Sequence, residues 1–198
     1  MKLRFGPERP VNVHFDWLAP VYDRLAPPAD AAKLRELLRL PASGGLLDAG
    51  GGTGRVSFRL AGAVGRVVVL DLSLPMLRQA RRKEALHAVR ADVRRLPFPA
   101  RSFARILVVD ALHHFADPQE VLCELFRVLE PGGRLVIQEF DRRRPAVRLL
   151  VLLEKLLLMG SWFPSPERIA QMAAACGAAA AILPNGRFSV WIVADKPS

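Results

Sequence analysis

The chain has 198 residues, of which 51% are hydrophobic and 24% charged, a balance typical of one soluble globular domain. A net charge of +10 raises the question of nucleic acid, but the arginines are scattered and not interleaved with the aromatics that stacking platforms use, which argues against such a partner. No apolar run is long enough for a signal peptide or a membrane span, so we expect a cytoplasmic protein.

The hydrophobic pattern begins with a helical region to about Leu40 and then alternates between short strand-like runs and helical segments. Such alternation predicts a parallel sheet covered on both faces. Seven strands are predicted, over residues 45–49, 66–70, 88–91, 104–109, 134–140, 178–183 and 188–194. The last two flank Asn185-Gly186, a hairpin signal. Neither a repeat nor a linker divides the chain, so a single domain is expected.

The first predicted strand ends in a glycine-rich loop, LLDAGGGTGR, over residues 46–55. Glycine lacks a Cβ, so this loop lets a ligand lie against bare backbone. Val56, Phe58 and Leu60 are placed to begin a helix, and the predicted strand, loop and helix form a junction typical of nucleotide-like ligands. The spacing fits neither the P-loop nor the hydride-transfer fingerprint, which would need a glycine at Arg55.

Acidic residues follow the next two predicted strands. Asp71 ends the second strand at a distance from the glycine loop that suits a ribose-binding carboxylate. Asp92 comes after the third strand and could accept a hydrogen bond from an adenine amine while Val93 packs on the ring. A turn or helix-capping aspartate is an equally good interpretation of Asp92, and the residues alone leave both open.

Two adjacent histidines, His113 and His114, follow the fourth predicted strand. A base here would help a phenol, enol or ring carbon to lose its proton. Because adjacent residues at a strand end point in opposite directions, we expect one of them at most to face a ligand and favour His113. Neither a carboxylate pair nor a ligand cluster suggests a metal. Cys123 and Cys176 lie in apolar helical contexts, and we expect buried free thiols without a disulfide.

The region from Asp141 to Pro166 departs from the sheet pattern. Its predicted helix, Leu149 to Met159, is apolar nearly all round, and Trp162 and Phe163 follow it. Such a helix is buried against the lid or a dimer partner, or it forms a pocket wall or membrane contact with residues 142–144 facing anionic headgroups. Both interpretations stay open. Ser165 is expected to cap the next helix, with Pro166 in its first turn.

Five motifs in order carry a family resemblance: DAGGGTGR, VVVLDLS, ADVRRLPFP, SFARILVVDALHHF and RVLEPGGRLVI. The chain resembles the class I S-adenosylmethionine-dependent methyltransferases of the small-molecule, type 11 branch. The N-terminal segment FDWLAPVYD, residues 15–23, is similar to the entry segment of ubiquinone and menaquinone biosynthesis C-methyltransferases. An amphipathic packing helix is the simpler interpretation of this segment, and it stays open beside the likeness.

The resemblance implies a Rossmann-like, doubly wound α/β sheet of seven strands, mostly parallel with one antiparallel strand, in a single domain with an N-terminal lid. It divides the chain into a lid (1–40), a cofactor-binding core (41–140), an apolar specificity insertion (141–166) and a last helix with a C-terminal hairpin (167–198). The cofactor residues that it implies are Asp48, Ala49, Gly50, Gly52, Gly54, Asp71, Leu72, Met76, Asp92, Val93, Asp110 and, closing the lid, Tyr22. Candidates on the substrate side are His114, Trp162 and Phe163.

The expected reaction is in-line methyl transfer from S-adenosyl-L-methionine to a small apolar or aromatic acceptor, at carbon or oxygen, with S-adenosyl-L-homocysteine as product. The sequence around Asp110 lacks the signature of amino-group methylation in nucleic acids. A nucleic-acid methyltransferase, a non-catalytic cofactor-binding module and an NAD-dependent oxidoreductase remain as alternatives. Peripheral contact with an anionic membrane and a homodimer also stay open.

Overall fold

A computed structural model describes residues 13–25, 30–144, 147, 163–186 and 188–198 of the chain. The strands are β1 (Ala42–Ala49), β2 (Val64–Asp71), β3 (Leu86–Arg90), β4 (Phe103–Val109), β5 (Leu129–Phe140), β6 (Ala179–Asn185) and β7 (Ser189–Asp195). The α-helices are α1 (Val13–Leu18), α2 (Tyr22–Leu25), α3 (Ala31–Leu37), α4 (Leu74–Ala80), α5 (Pro118–Val128) and α6 (Pro166–Ala175). Two short 3₁₀ helices are η1 (Ser57–Leu60) and η2 (Leu112–His114).

The strands form one seven-stranded sheet in the order β3-β2-β1-β4-β5-β7-β6. The first five strands along the chain pair in parallel, and β7 runs antiparallel to both β5 and β6. The predicted sheet, including the antiparallel strand and the final hairpin, is confirmed. The strand order reverses between β1 and β4, and in open α/β sheets ligands bind at the carboxyl ends of strands beside such a reversal.

Residues that alternate along each strand separate into two apolar layers. Leu47, Ile106 and Ile137 pack with α5 and α6 on one face of the sheet. Leu46 and Leu107 pack with α3, η1 and α4 on the other face. Because both faces are covered, the parallel strands are apolar on both sides, and the strand ends are left to carry polar side chains.

The expected helix after the glycine loop is wrong in its type and length. Residues 57–60 form only the 3₁₀ turn η1, and Ala61 then leaves the helical region with φ −57° and ψ 143°. Gly62 takes a positive φ of 84°, and β2 begins at Val64. The nine residues between Gly54 and β2 hold η1 and the non-helical residues 61–63. A long helix therefore does not start at the glycine loop, and the loop backbone and nearby carboxylates shape the site.

The prediction of two free thiols is also wrong. Cys123 on α5 and Cys176 at the end of α6 form a disulfide, with their Cα atoms 5.2 Å apart. Gln119 Nε2 contacts the Cys176 Sγ and the Met172 carbonyl from the same side. The two helices pack side by side on one face of the sheet, and this neighbourhood joins cysteines 53 residues apart. Spacing in the sequence could not reveal it.

Caps define the helices that flank the sheet. Ser165 accepts from the Arg168 N–H and Pro166 lies in the first turn of α6, as predicted.

The predicted apolar helix, Leu149 to Met159, lies outside the described residues, although Val147 is described and buried. In the described ranges, no helix is both long and apolar enough to cross a bilayer.

Candidate functional site

Aspartates at or just beyond the carboxyl ends of β1, β2 and β4 gather at one edge of the sheet. Asp48 precedes the last residue of β1, Asp71 ends β2, and Asp110 follows β4. β1 lies between β2 and β4, so the three carboxylates come from neighbouring strands. The glycine loop starts at the same edge, where the Gly50 and Gly51 N–H groups donate to the Leu70 carbonyl.

Asp71 holds the glycine loop through main-chain hydrogen bonds. Its Oδ2 accepts from the Gly52 N–H over 2.9 Å, and its Oδ1 accepts from the Ser73 N–H over 2.8 Å. Burial raises the pKa of Asp71, although these N–H donors oppose the rise. Gly52 takes φ +55°, and a Cβ there would have only the Met76 Sδ, at 3.8 Å, and Asp71 Oδ2, at 4.0 Å, near it. The backbone at Gly52 is therefore open to a ligand.

Asp48 is the most deeply buried carboxylate of this edge, with 2% of its surface exposed. Burial raises its pKa to about 6, and the charge of Asp71 adds to the rise. The Ser57 hydroxyl is near enough to oppose that rise, yet Asp48 Oδ2 and Ser57 Oγ have no partner at normal hydrogen-bond geometry among the described residues. A buried carboxylate oxygen without a partner is costly, and a cationic or hydrogen-bonding ligand would offset that cost.

Asp110 lies where β4 turns into η2. Its backbone has φ +50°, a left-handed conformation that is uncommon outside glycine, and the Gln138 amide contacts its Oδ1 at 3.4 Å. Burial, followed by the charge of Glu139, raises the pKa of Asp110 to about 6. A Cβ at Gly50, φ +71°, would lie 2.8 Å from the Ala111 Cβ. Glycine at position 50 therefore lets the loop after β1 approach the turn after β4.

The segment α1–α2 is bound across this edge by polar contacts. The Ser73 hydroxyl donates to Asp16, and the Thr53 hydroxyl donates to Asp23. Lys83 Nζ bonds both Asp23, over 2.9 Å, and the Thr53 carbonyl, over 2.8 Å. Burial raises the pKa of Asp23, but the bonds from Thr53 and Lys83 outweigh it and leave the pKa below its usual value.

Tyr22 begins α2 and lies half-buried in this region. The Arg55 guanidinium carbon is 5.9 Å from the centre of its ring. Burial raises the pKa of the Tyr22 phenol, and Asp110 and Asp71 raise it further against the opposing charge of Arg55. Tyr22 is thus within electrostatic range of both carboxylates. The expected lid position is consistent with this geometry, and its role stays a prediction.

The remaining predicted cofactor residues differ in their surroundings. Met76 is buried near Gly52, whereas Leu72 is exposed. Val93 is buried, but both carboxylate oxygens of Asp92 accept from the Arg94 guanidinium, with Oδ2 2.6 Å from Arg94 Nη2. This pair lowers the pKa of Asp92. Any ligand amine at Asp92 would share that carboxylate with a guanidinium.

The two predicted histidines lie in η2, directly after the β4 turn. His113 has 2% of its surface exposed, and Glu139 of β5 has 0%. Glu139 Oε1 is 2.7 Å from His113 Nδ1, and Glu139 Oε2 accepts from the His113 N–H over 3.0 Å. His114 is half-buried, and burial, followed by the charge of His113, lowers its pKa to about 3.

Glu139 was not identified from the sequence, although a signal exists. Leu135 and Ile137 face the α5–α6 side of the sheet, and Glu139 continues their period of two along β5. An acidic residue at a position where the strand buries apolar side chains indicates a buried partner. The sequence does not say that the partner is His113.

An aromatic cluster that contains both histidines consists of His113, His114, Phe140 and Phe163. The His113 ring stacks on Phe163 with centroids 4.4 Å apart and planes 13° apart, and His114 is 3.9 Å from His113. Phe140 is 5.8 Å from His113. Phe163 is therefore brought to the end of β4, while Trp162, the other aromatic predicted there, lies outside the described residues.

The arginine cluster at residues 142–144 is engaged within the chain. Arg143 contacts Asp141 at 2.7 Å and Glu167 at 2.6 Å, and Arg144 contacts Asp141 at 3.5 Å. Arg142 donates to the Phe163 carbonyl over 3.0 Å. The cluster therefore fixes the chain around Asp141, which lowers the charge it can offer to a nucleic acid or a lipid headgroup.

Comparison with known sequences identifies the domain. A family model described as a methyltransferase domain matches residues 47–137. The chain is 35% identical over 141 residues to the ubiquinone/menaquinone biosynthesis C-methyltransferase of Ruegeria sp. strain TM1040. That alignment covers 67% of this chain and 51% of the relative, so the chain spans about half the length of the curated relatives it matches.

Solved structures share the fold. An S-adenosylmethionine-dependent methyltransferase of Thermotoga maritima has a TM-score of 0.74 at 23% identity, covering 93% of this chain and 95% of that one. Phosphoethanolamine N-methyltransferase 2 of Haemonchus contortus, in complex with S-adenosyl-L-methionine, has a TM-score of 0.70 at 18% identity, covering 84% of this chain and 52% of that one. The chain belongs to the class I S-adenosylmethionine-dependent methyltransferases.

Proposed function

We propose that this protein transfers a methyl group from S-adenosyl-L-methionine to a small apolar or aromatic acceptor, at carbon or oxygen. The observation that carries the proposal is the buried Asp48 Oδ2, which has no described partner at an edge where Asp71 and Asp110 also converge. The cofactor combines a cationic sulfonium and amino group with a ribose diol. A carboxylate-lined edge with open backbone suits each of these groups.

The residues present fit that cofactor. In this proposal Asp71 accepts from the ribose diol, because its oxygens already face the loop that a ligand would line. Asp48 and the glycine loop hold the methionine portion, and Asp110 lines the methyl-donor end. Val93 packs against adenine, and Asp92 shares its carboxylate between Arg94 and the adenine amine. Other cofactor contacts that we propose are Ala49, Gly50, Gly52, Gly54, Leu72 and Met76.

Little further chemistry is asked of the protein. The sulfonium, when bound, supplies an activated methyl group that is ready for displacement. Holding two reactants at attack geometry can contribute roughly 7–11 kcal/mol to lowering the barrier. The α1–α2 segment supports this role, because its bonds to Ser73, Thr53 and Lys83 hold Tyr22 across the edge. We propose that Tyr22 excludes water from the reacting groups.

The aromatic cluster supports a planar, apolar acceptor. Its rings come from η2, from the end of β5 and from Phe163, beside Asp110. His114 stays uncharged across neutral pH because its pKa is lowered to about 3. An uncharged His114 beside Phe140 and Phe163 favours stacking of a planar ring over binding of a charged amine. The Ruegeria relative is a ubiquinone/menaquinone biosynthesis C-methyltransferase, and a quinone precursor is an acceptor of this class.

The alternatives receive less support from specific contacts. A nucleic-acid substrate would need the basic cluster that Asp141 and Glu167 already neutralise in part. A non-catalytic module would need no aromatic cluster beside the cofactor edge. Peripheral contact with an anionic membrane, a homodimer and a cytoplasmic location stay predictions.

The test is transfer of label from methyl-tritiated S-adenosylmethionine to three probes: 1,4-naphthohydroquinone, a primary arylamine and a short single-stranded RNA. We expect labelled hydroquinone and S-adenosylhomocysteine in equal amounts. Labelled RNA would overturn the acceptor class. Absence of S-adenosylhomocysteine binding by calorimetry would overturn the proposed cofactor.

A further inference from the structure

The Glu139–His113 pair forms a connected unit on the acceptor side of the edge. Glu139 contacts both the ring and the main chain of the same residue, at His113 Nδ1 over 2.7 Å and the His113 N–H over 3.0 Å. The Phe140 N–H also donates to Glu139 Oε1, over 3.1 Å. A buried carboxylate with this many fixed partners holds one orientation of the imidazole.

The bond to Nδ1 also selects a tautomer. A carboxylate accepts, so the Nδ1 of a neutral His113 carries the proton and the basic lone pair lies on Nε2. The same logic orients the base in catalytic triads, where a carboxylate holds the imidazole and faces the charge that it gains. If His113 takes up a proton at Nε2, the Glu139 carboxylate at Nδ1 stabilises the positive charge that the ring gains.

The neighbouring imidazole is unsuited to that role. Burial and the nearby His113 lower the pKa of His114 to about 3, so His114 remains neutral and weakly basic. Asp110 also lies within electrostatic range of His113, and burial is the main cause of its raised pKa. Among the described residues, Glu139, His114 and Asp110 thus place a carboxylate, a neutral ring and a second acid near His113.

The position of the pair suits proton removal from a bound acceptor. Ala111 joins Asp110 to η2 and lies against Gly50 of the cofactor loop. Phe163 and Phe140 form an apolar wall beside the ring. Because only 2% of His113 is exposed, bulk water has little access to its ring.

We propose that Glu139 is a positioning residue that holds His113 as the base for a protic acceptor, a phenol, an enol or an acidic ring carbon. This inference rests on the proposed function. The acceptor's proton passes to His113 Nε2 while the electron pair of its O–H or C–H bond joins the methyl carbon. The electron pair of the broken sulfur–carbon bond stays on the sulfur, which leaves as a neutral thioether.

The first test is kinetic, with 1,4-naphthohydroquinone as acceptor. We expect Glu139→Gln to lower kcat by roughly 10²- to 10⁴-fold, the range of general-base effects, while KM and the affinity for S-adenosylhomocysteine change less than about twofold. The kcat of His113→Gln should fall by a similar factor, and the kcat of the double variant should fall no further, because the two residues act as a unit. Glu36→Gln is the matched control, the same change at an exposed residue of α3.

The second test needs neither turnover nor a variant. Nitrogen-detected NMR of the wild-type protein with isotopically labelled imidazoles should show His113 protonated at Nδ1, with a hydrogen bond to the carboxylate. A proton on Nε2 instead would overturn the inference, as would an unchanged kcat in a folded Glu139→Gln variant. If the wild type fails to bind S-adenosylhomocysteine, the proposed function is wrong. If the wild type binds it and Glu139→Gln turns over as fast as the wild type, only the role assigned to Glu139 is wrong.

Discussion

The two halves of the site are built in different ways. At the ends of β1 and β2, the Asp71 carboxylate is held by main-chain N–H groups of Gly52 and Ser73. At the ends of β4 and β5, the Glu139 carboxylate is held chiefly by His113, through its ring and its main chain. The cofactor half is therefore a loop backbone held by a carboxylate, and the acceptor half is a set of interlocked side chains.

This difference decides which substitutions each half of the site can tolerate. A backbone cradle depends on glycine conformations and on carboxylates that remain ionised, so it restricts residue type at a few loop positions. In a set of interlocked side chains, each residue depends on its partners, so substitutions have to occur together. A different set of side chains at the same positions could then suit a different acceptor. The physical contrast agrees with a common cofactor and varied acceptors within one fold.

The largest effect that we expect is from Asp71→Ala, which removes the carboxylate on which the cofactor half depends. Loss of two hydrogen bonds to a charged acceptor would weaken S-adenosylhomocysteine binding by about 3–6 kcal/mol, on the order of 10²- to 10⁴-fold. Calorimetry measures it. Glu84→Ala, at an exposed carboxylate, is the control and should bind like the wild type. Affinity retained in Asp71→Ala would mean that the ribose lies elsewhere.

The same contrast explains how much the sequence revealed. Asp48, Asp71 and the alternating glycines are readable because each lies at a predictable strand end, and local backbone geometry does the rest. The Glu139–His113 bond joins residues 26 positions apart, and Phe163 reaches the same place from after the insertion. Long-range contacts of this kind depend on packing that no local pattern specifies.

Two errors have the same origin. The 3₁₀ turn at residues 57–60 replaces an expected helix, since the chain leaves the helical region at Ala61 and β2 then pairs with β1 from Val64. The Cys123–Cys176 disulfide exists because α5 and α6 lie side by side. The helix prediction rested on a local hydrophobic pattern and the thiol prediction on local context and spacing, whereas tertiary neighbours decided both outcomes.

A smaller effect should appear in the pH dependence of stability. Burial raises the pKa of Asp48 from 3.8 to about 6, so the folded state holds a proton that the unfolded state releases between these values. The free energy of unfolding should therefore fall as pH rises from about 4 to 6, and the penalty should persist at pH 7. Asp48→Asn should raise stability at pH 7 by roughly 1–3 kcal/mol while weakening S-adenosylhomocysteine binding. Urea unfolding across this pH range measures it.

Asp195→Asn supplies a control of opposite sign. Arg134, at 2.6 Å, lowers the pKa of Asp195, so this carboxylate stabilises the fold above its unfolded pKa and loses that effect as pH falls. Its substitution should reduce stability at pH 7 and leave cofactor binding unchanged. If Asp48→Asn also reduces the free energy of unfolding at pH 7, the buried charge of Asp48 does not destabilise the fold as we infer.

The smallest effect distinguishes backbone strain from ligand space in the cofactor half. Gly52 and Gly62 both have positive φ, +55° and +84°, and a Cβ at Gly62 would meet nothing within 4 Å. Alanine at either position should cost about 1–2 kcal/mol of stability, because a left-handed conformation strains any Cβ. Only Gly52→Ala should also lower the affinity for S-adenosylhomocysteine, by about tenfold or more, since its methyl group would fill space beside Met76 and Asp71 that we assign to the ligand. Thermal unfolding and calorimetry of both variants separate the two effects. Equal affinities in the two variants would show that the ligand does not lie beside Gly52 and that this glycine serves only the conformation of the loop.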